Sequence, residues 1–409
     1  MTEEASHAVL LYNQQIGSLL QRGDVTRFVF DADYWYRQHR SVLGLWFDDS
    51  SHRSPQAALR LPPWFSNLLP EGQLRDWIAK DRGVNSRREL QLLLHIGNDL
   101  PGAVQVVANA GDPQHLSLIT RNAAPELDEK HGAGPWKFSL AGVGMKFSLL
   151  RAGDRLTLPG RNEAGDWIVK LPDARYPLVP QNEYAVMSLA REIGIDVPDI
   201  ELLPREKLPD IPTPAWPNKE DHAYAIRRFD RTNSGGRVHI EDLAQVRGWY
   251  PEAKYDGSFA SVAALIYRNI DEASLREFIR RLTFSFLVGN GDAHLKNWSL
   301  IYRNGRTASL SPAYDIVCTG FYYGATDPDT TGLDFYGSKA FDRVTRAGFA
   351  RIQERLRTSK HNVLDVVDET LEAFYMTWKS GDRSAFPKPI AAWIDSHSSR
   401  MLRQLARRT

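Results

Sequence analysis

The sequence predicts an α+β protein, β-rich in its first half and helical from Asp242 onward. Two observations carry that prediction: short apolar runs broken by turn residues fill positions 8–30, and amphipathic helical repeats recur along the last 165 or so residues. At 409 residues the chain exceeds one compact core, so two or three folding units are expected. Apolar residues make up 42% and charged residues 25%, as in an ordinary globular protein. Lys and Arg number 51 against 50 Asp and Glu, and a net charge of +1 gives no global attraction to nucleic acid or membrane. The one cysteine, Cys318, excludes an internal disulfide and fits a reducing cytoplasm. The N-terminal residues show no secretory leader and no apolar run approaches a membrane span, so a cytoplasmic protein is expected.

Val9 to Tyr12, Ile16 to Leu20 and Phe28 to Phe30 alternate with turns such as Asn13-Gln14-Gln15, which reads as a small antiparallel sheet. A helix is expected from about Glu71 to Lys80. A second should open at Ser86-Arg87-Arg88-Glu89, a Ser-x-x-Glu capping box ahead of Leu90 to Leu94. Ala103 to Val107 reads as a strand. The polar stretch Asn122 to Gly134 reads as a boundary or a mobile loop, and the chain is expected to divide into an accessory β/α subdomain (1–125), a segment with the glycine turn and strand lysine (126–230) and a helical part (231–409).

Lys137 to Leu140 and Lys146 to Leu149 are similar runs flanking Ala141-Gly142-Val143-Gly144-Met145, a hairpin with glycines at its tip. Such tips are most often only turns, but they also let backbone N–H groups approach phosphate oxygens. Trp167 to Pro172 is a strand carrying Lys170, either a solvated lysine or a fixed charge for phosphates. Asn182 to Ile193 is an amphipathic helix ended by Gly194, with Glu183 in its first turn either as a partner for Lys170 or as a glutamate favoured there by the helix dipole alone. Pro204 to His222 is irregular, and Tyr224 to Arg231 returns to strand. Ser274-Leu275-Arg276-Glu277 offers another capping box, opening a helix that delivers the chain into Gly289 to Asn297. A hairpin over Trp298 to Leu310 leads toward Asp315. The last helices fall near 345–357, 362–380 and 388–408, with Arg400, Arg403, Arg407 and Arg408 read as a solvated face in preference to a nucleic-acid patch.

The chemistry centres on Asp292 and Asn297, five apart in one polar loop. In ATP-dependent phosphoryl transfer an aspartate accepts the acceptor hydroxyl's proton and an asparagine holds magnesium. Asp315, eighteen residues past Asn297, would grip the metal from the opposite side. His294 would brace Asp292 by hydrogen bonding and Lys296 would neutralise the γ-phosphate. Glycine turn, strand lysine, Asp-x4-Asn and final aspartate follow one another in the order of a protein kinase. By position, Arg227, Arg228 and Phe229 are either hinge residues beside the adenine or part of a surface strand. No Cys/His cluster has zinc spacing, and no nucleophile elbow, Walker lysine or dinucleotide fingerprint occurs.

Several stretches resemble the HipA family of bacterial serine/threonine-protein kinase toxins. They are Phe65-Ser66-Asn67-Leu68-Leu69-Pro70-Glu71-Gly72, Gly102-Ala103-Val104, Lys170-Leu171-Pro172, Asn182-Glu183-Tyr184, Arg228-Phe229-Asp230-Arg231, Asp292-x-His294-x-Lys296-Asn297 and Tyr314-Asp315. The resemblance implies a bilobed protein-kinase-like fold: a β-rich N-terminal lobe with an accessory subdomain, and an all-helical C-terminal lobe. It implies ATP and Mg2+ as cofactors, with Asp292 catalytic and Asn297 and Asp315 on the metal. The ATP site would draw on Ala141, Gly142, Val143, Gly144, Met145, Lys146, Lys170, Arg227, Arg228, Phe229, His294, Lys296, Asn297, Tyr314 and Asp315.

A helix-turn-helix, HipB-like antitoxin is the implied partner, reaching DNA mainly through itself. An aminoacyl-tRNA synthetase is the implied substrate, with persistence as the outcome. Ser139 matches the family's autophosphorylated serine. Two departures stand out: Gly142-Val143-Gly144-Met145-Lys146 replaces the usual Gly-Ala-Gln-x-Lys, and Arg227 stands where many members carry an acid. The remaining alternatives are a small-molecule kinase and a catalytically weak corepressor partner of the antitoxin.

Overall fold

Residues 5–30 alternate apolar and polar side chains, and they fold as that period dictates. The computed structural model describes residues 4–50, 54–108, 146–157, 164–211, 213–268, 271–324, 329–358 and 363–406. They fall into two compact units, both discontinuous in sequence: residues 1–169, 230–251 and 301–307 in the first, and 170–229, 252–300 and 308–409 in the second.

In the first unit, β1 (Ala5–Leu11), β2 (Gln14–Arg22), β3 (Val25–Phe30), β4 (Gln56–Ala58) and β5 (Val104–Ala108) form a sheet in the order β4-β3-β2-β1-β5. All neighbouring pairs run antiparallel, and Leu11 faces Gln14 across a two-residue turn. Tyr12 and Asn13 both have positive φ, 53° and 61°, the twist that a tight hairpin needs. Val9, Leu11, Ile16, Leu19 and Phe28 are buried with Phe47, Trp64 and Phe65. Phe28 lies 4.9 Å from Phe65 and Phe47 lies 5.8 Å from Trp64, ring centre to ring centre.

Three buried charges organise what surrounds this core. Glu89 accepts from Leu61 N (2.8 Å) and Ser66 Oγ (3.1 Å). That inward turn explains why the Ser86 capping box does not form: the helix is Glu89–Ile96, and its N-cap, Arg88, makes no side-chain cap. Glu241 accepts from Tyr302 Oη (2.5 Å), Leu45 N (2.9 Å) and Trp64 Nε1 (3.0 Å), and burial raises its carboxyl to about 7. Arg231 donates to Asp99 (2.9 Å), Asp230 (2.8 Å), and the carbonyls of Leu100 and Gly102 (both 3.0 Å). Gly102 N returns a bond to Asp230 at 2.7 Å.

The second unit is mainly helical. Its helices are Val179–Glu192, Phe259–Tyr267, Glu272–Val288, Arg346–Leu356, Val363–Ser380 and Lys388–Ala406, with Ile200–Pro204 paired antiparallel to His222–Arg227. The excursion between those strands holds three short 3-10 turns. Phe286 sits among Phe259, Phe335 and Phe349, at ring separations of 5.7, 5.1 and 6.0 Å.

The helix carrying Phe286 starts earlier than its Ser274-x-x-Glu277 pattern suggests. Asp271 caps it by accepting from Ser274 N at 2.9 Å, which leaves Ser274 Oγ to accept from Leu310 N at 2.8 Å. Ser299–Tyr302 and Ser309–Leu310 are short strands, so the C-terminal part is not built of helices alone. Among the described residues no helix is long and apolar enough to cross a membrane.

Truncating Arg231 would leave Asp99 and Asp230 buried without their guanidinium. Arg231→Ala should lower the unfolding free energy by about 3–5 kcal/mol, read as a fall in the urea midpoint; an unchanged midpoint would remove Arg231 from this role.

Candidate active site

The Glu272–Val288 helix ends at Gly289, whose φ is +67°; a Cβ there would meet the Trp393 ring at 2.4 Å. His397 Nε2–H donates to the Phe286 carbonyl at 2.8 Å, satisfying one acceptor of the helix's last turn. Gly291 is equally constrained, since a Cβ would stand 2.2 Å from Asp329 Oδ2. Its N–H donates to Thr319 Oγ1 at 2.7 Å, and Thr319 donates to Asp329 at 2.5 Å. Burial raises the Asp329 carboxyl, its two hydrogen bonds lower it, and the nearby Asp292 charge adds to the rise.

The loop is then tied to itself around Asp292. Asp292 N donates to Asn290 Oδ1 (3.1 Å), while its carbonyl accepts from His294 N (2.8 Å) and Asn297 Nδ2 (2.7 Å). The Asp292 carboxylate is 45% exposed, and its Oδ1 accepts from Tyr255 Oη at 2.5 Å. His294 does not make the bond expected of it. Its Nε2 stands 3.8 Å from Asp292 Oδ1, beyond hydrogen-bond reach, and its ring packs against the Tyr255 ring at 4.9 Å.

Lys170, the last residue of the strand Trp167–Lys170, lies between two carboxylates. Its Nζ donates to Glu183 Oε1 at 2.6 Å and to Asp315 Oδ1 at 2.5 Å. Burial alone would pull the ammonium down, but Asp315 and Glu183 more than offset it and hold the pKa above its ordinary value. Glu183 lies one turn inside its helix rather than in the first turn, because the helix begins at Val179. Asp315 is left-handed, φ +60°, and such a conformation in a non-glycine residue persists only where its surroundings impose it. Here Asn182 supplies part of that restraint: Nδ2 donates to the Cys318 carbonyl (3.0 Å) and Oδ1 accepts from Cys318 N (3.1 Å). Tyr314 Oη donates to the Lys296 carbonyl at 2.9 Å, and its ring stands 5.7 Å from Phe229.

Asn297, Tyr314 and Asp315 line one cleft with Asn290, Ala293 and Arg281. Oxygen donors from an amide and a carboxylate suit a magnesium ion that keeps waters and phosphates in its remaining positions, so these residues fit such a metal. Among the described residues there is no group of three or more His, Cys, Asp or Glu able to form an all-protein metal cage.

Comparison with known proteins gives this geometry a family. The HipA-like C-terminal domain model matches residues 138–378 and the HipA N-terminal domain model matches residues 7–107. The chain belongs to the HipA family. A Sinorhizobium fredii protein named "Putative kinase Y4dM" is 40% identical over 95% of this chain and 95% of its own. The Shewanella oneidensis "Serine/threonine-protein kinase toxin HipA" is 24% identical over 63% of this chain and 62% of its own. Among solved structures, the Shewanella oneidensis MR-1 complex of HipA, HipB and operator DNA contains a chain with the same fold: TM-score 0.71 at 19% identity, covering 97% of this chain and 96% of that one.

The other residues singled out in the sequence are placed as follows. Arg227 is partly exposed and lies 3.5 Å from Asp199, whereas Arg228 is buried. Lys146 opens the strand Lys146–Ala152 and is buried, as is Lys296. Ser139 and Ala141 to Met145 lie outside the described residues. Tyr255 was not reached from the sequence, since it lies 37 residues upstream of Asp292 and no spacing rule joins them.

The His397 cap makes this region acid-sensitive. Burial lowers His397 from 6.5 to about 4, with the Phe286 carbonyl opposing and Arg400 assisting the fall. A depressed histidine contributes stability that is present above pH 6.5 and lost as the pH drops toward 4. The loss from this one group is on the order of 3 kcal/mol. A His397→Asn variant, which keeps a donor but not the titration, should show a shallower fall of melting temperature across that window.

Proposed function

We propose that this protein is an ATP-dependent serine/threonine-protein kinase and the toxin of a bacterial toxin–antitoxin pair. The observation that carries the reading is Lys170 held between Glu183 and Asp315 in the same unit as the Asp292–Asn297 loop. Phosphoryl transfer asks a protein mainly for positioning and charge, and these groups supply both. Lys170 offers a fixed cation to phosphate oxygens, and Glu183 keeps it aimed when Asp315 turns to other work. Asn297 and Asp315 would hold magnesium, which when bound offsets phosphate charge. Asp292 takes the proton of the acceptor hydroxyl on its carboxylate, a step assisted by that group's partial exposure to an incoming side chain.

The finer parts of the reading come from relatives. Serine/threonine specificity and a toxin role follow the name of the Shewanella oneidensis relative. A HipB-like antitoxin as partner follows the solved complex of HipA, HipB and operator DNA; its helix-turn-helix type, and DNA contact mainly through it, rest on the family resemblance. An aminoacyl-tRNA synthetase as substrate, action in the cytoplasm, Ser139 autophosphorylation, and ATP contacts from Lys146, Arg227 to Phe229, His294, Lys296 and Tyr314 rest on the family resemblance.

Intact-mass analysis and phosphopeptide mapping after incubation with Mg-ATP and cell extract test the proposal. Wild type should label protein on serine or threonine, and Asp292→Asn should reduce the rate by about 10²–10⁴-fold. Phosphate appearing only on a low-mass product would replace the protein-kinase reading with a small-molecule kinase. No transfer at all would leave the chain a binding partner of its antitoxin.

A further inference from the structure

We infer that Tyr255 is a positioning residue for phosphoryl transfer: its hydroxyl holds Asp292 Oδ1 and so presents Oδ2 to the acceptor. The inference rests on Asp292 being the base. Asp292 needs such a partner because every backbone bond of its loop fixes the main chain and none fixes the carboxylate. Its N–H and carbonyl are engaged by Asn290, His294 and Asn297, yet the side chain is 45% exposed and joined to a rotatable χ pair. A half-exposed aspartate held only through its backbone samples several rotamers, and a general base loses efficiency when its oxygen wanders from the proton it must take.

Tyr255 has the chemistry to stop that wandering. A phenol donates one hydrogen bond and stays neutral at working pH, so it orients a carboxylate without cancelling its charge. The Tyr255 hydroxyl reaches Asp292 Oδ1 at 2.5 Å. The tyrosine itself is held from three directions. Its ring meets the buried His294 ring edge-on, at 4.9 Å and 80°. Its carbonyl accepts from Lys339 Nζ at 2.8 Å. The carbonyl of the preceding Lys254 accepts from Leu295 N at 3.0 Å, which binds the tyrosine's backbone to the very loop it serves. Thus His294 acts on Asp292 through the Tyr255 ring, not by a bond of its own.

Tyr255→Phe keeps the ring, the His294 contact and both backbone ties, and removes one oxygen. In steady-state kinetics with Mg-ATP and a protein acceptor, kcat should fall about tenfold or more while the KM for ATP and the melting temperature stay at wild-type values. A residue acting through Asp292 must also lose its effect when the base is gone, so Tyr255→Phe added to Asp292→Asn should cost nothing further. If Asp292→Asn is inactive but Tyr255→Phe turns over like wild type, the positioning role is overturned and the base assignment stands. A full additive loss in the double variant would equally overturn it. Wild-type turnover by Asp292→Asn would instead overturn the base assignment on which the inference rests.

Discussion

A single ammonium shared by two carboxylates is the constraint on which the candidate site depends. Glu183 and Asp315 are 132 positions apart in the chain, and without Lys170 their charges would repel across a poorly solvated space. With the lysine in place the cluster still carries one excess negative charge, which suits a divalent cation arriving with phosphate. The arrangement has a conformational cost, because Asp315 occupies left-handed backbone space worth about 1–3 kcal/mol of strain. The two-way amide bond from Asn182 to Cys318 helps to offset it, and it does so from the residue next to Glu183. One helix therefore sets both carboxylates. Cys318, its thiol pushed up to about 12 by burial, is a packing residue with no thiolate to offer.

The same economy governs the Asp292 loop. Glycine at 289 turns the chain out of its helix under Trp393, and glycine at 291 lets Asp329 and Thr330 close on the backbone. Neither glycine touches the proposed chemistry. Both remove a methyl group from places where two segments approach within van der Waals distance, so that Asp292 and Asn297 leave the helix end in a fixed direction.

Periodicity made much of this visible beforehand. Strands from 5 to 30, the strand at 104–108 and the three C-terminal helices stand close to where alternation and helical spacing put them. The Asp292–Asn297–Asp315 spacing and the strand Lys170 were also readable, because their signals lie in residue type and order. What failed were local motifs overruled by tertiary bonds. Ser86 lost its capping box because Glu89 is drawn inward to Leu61 and Ser66. Ser274 lost its own because Asp271 caps first, and Leu310 then takes the serine hydroxyl. A capping box is a short-range preference worth about 1 kcal/mol, and a buried carboxylate left without partners costs more.

The stretches that resemble the HipA family separate into residues to which we assign chemistry and residues that hold the backbone. Lys170, Asp292, Asn297 and Asp315 are of the first kind. Asn182 is of the second kind in the second unit, where it clamps the segment after Asp315; in the first unit Asp230 and Arg231 do the same for the Gly102 backbone. A motif with both kinds is harder to imitate than a bare triad of acids, because each placing residue requires a particular backbone opposite it. His294 shows the distinction at its finest. Residue type and proximity suggested a direct bond to Asp292, but the carboxylate is bonded by Tyr255 and the imidazole is spent supporting that tyrosine. Sequence neighbours of the proposed base are thus poor guides to what orients it. The chain brings the orienting group from a different segment, where only three-dimensional packing can select its distance and angle.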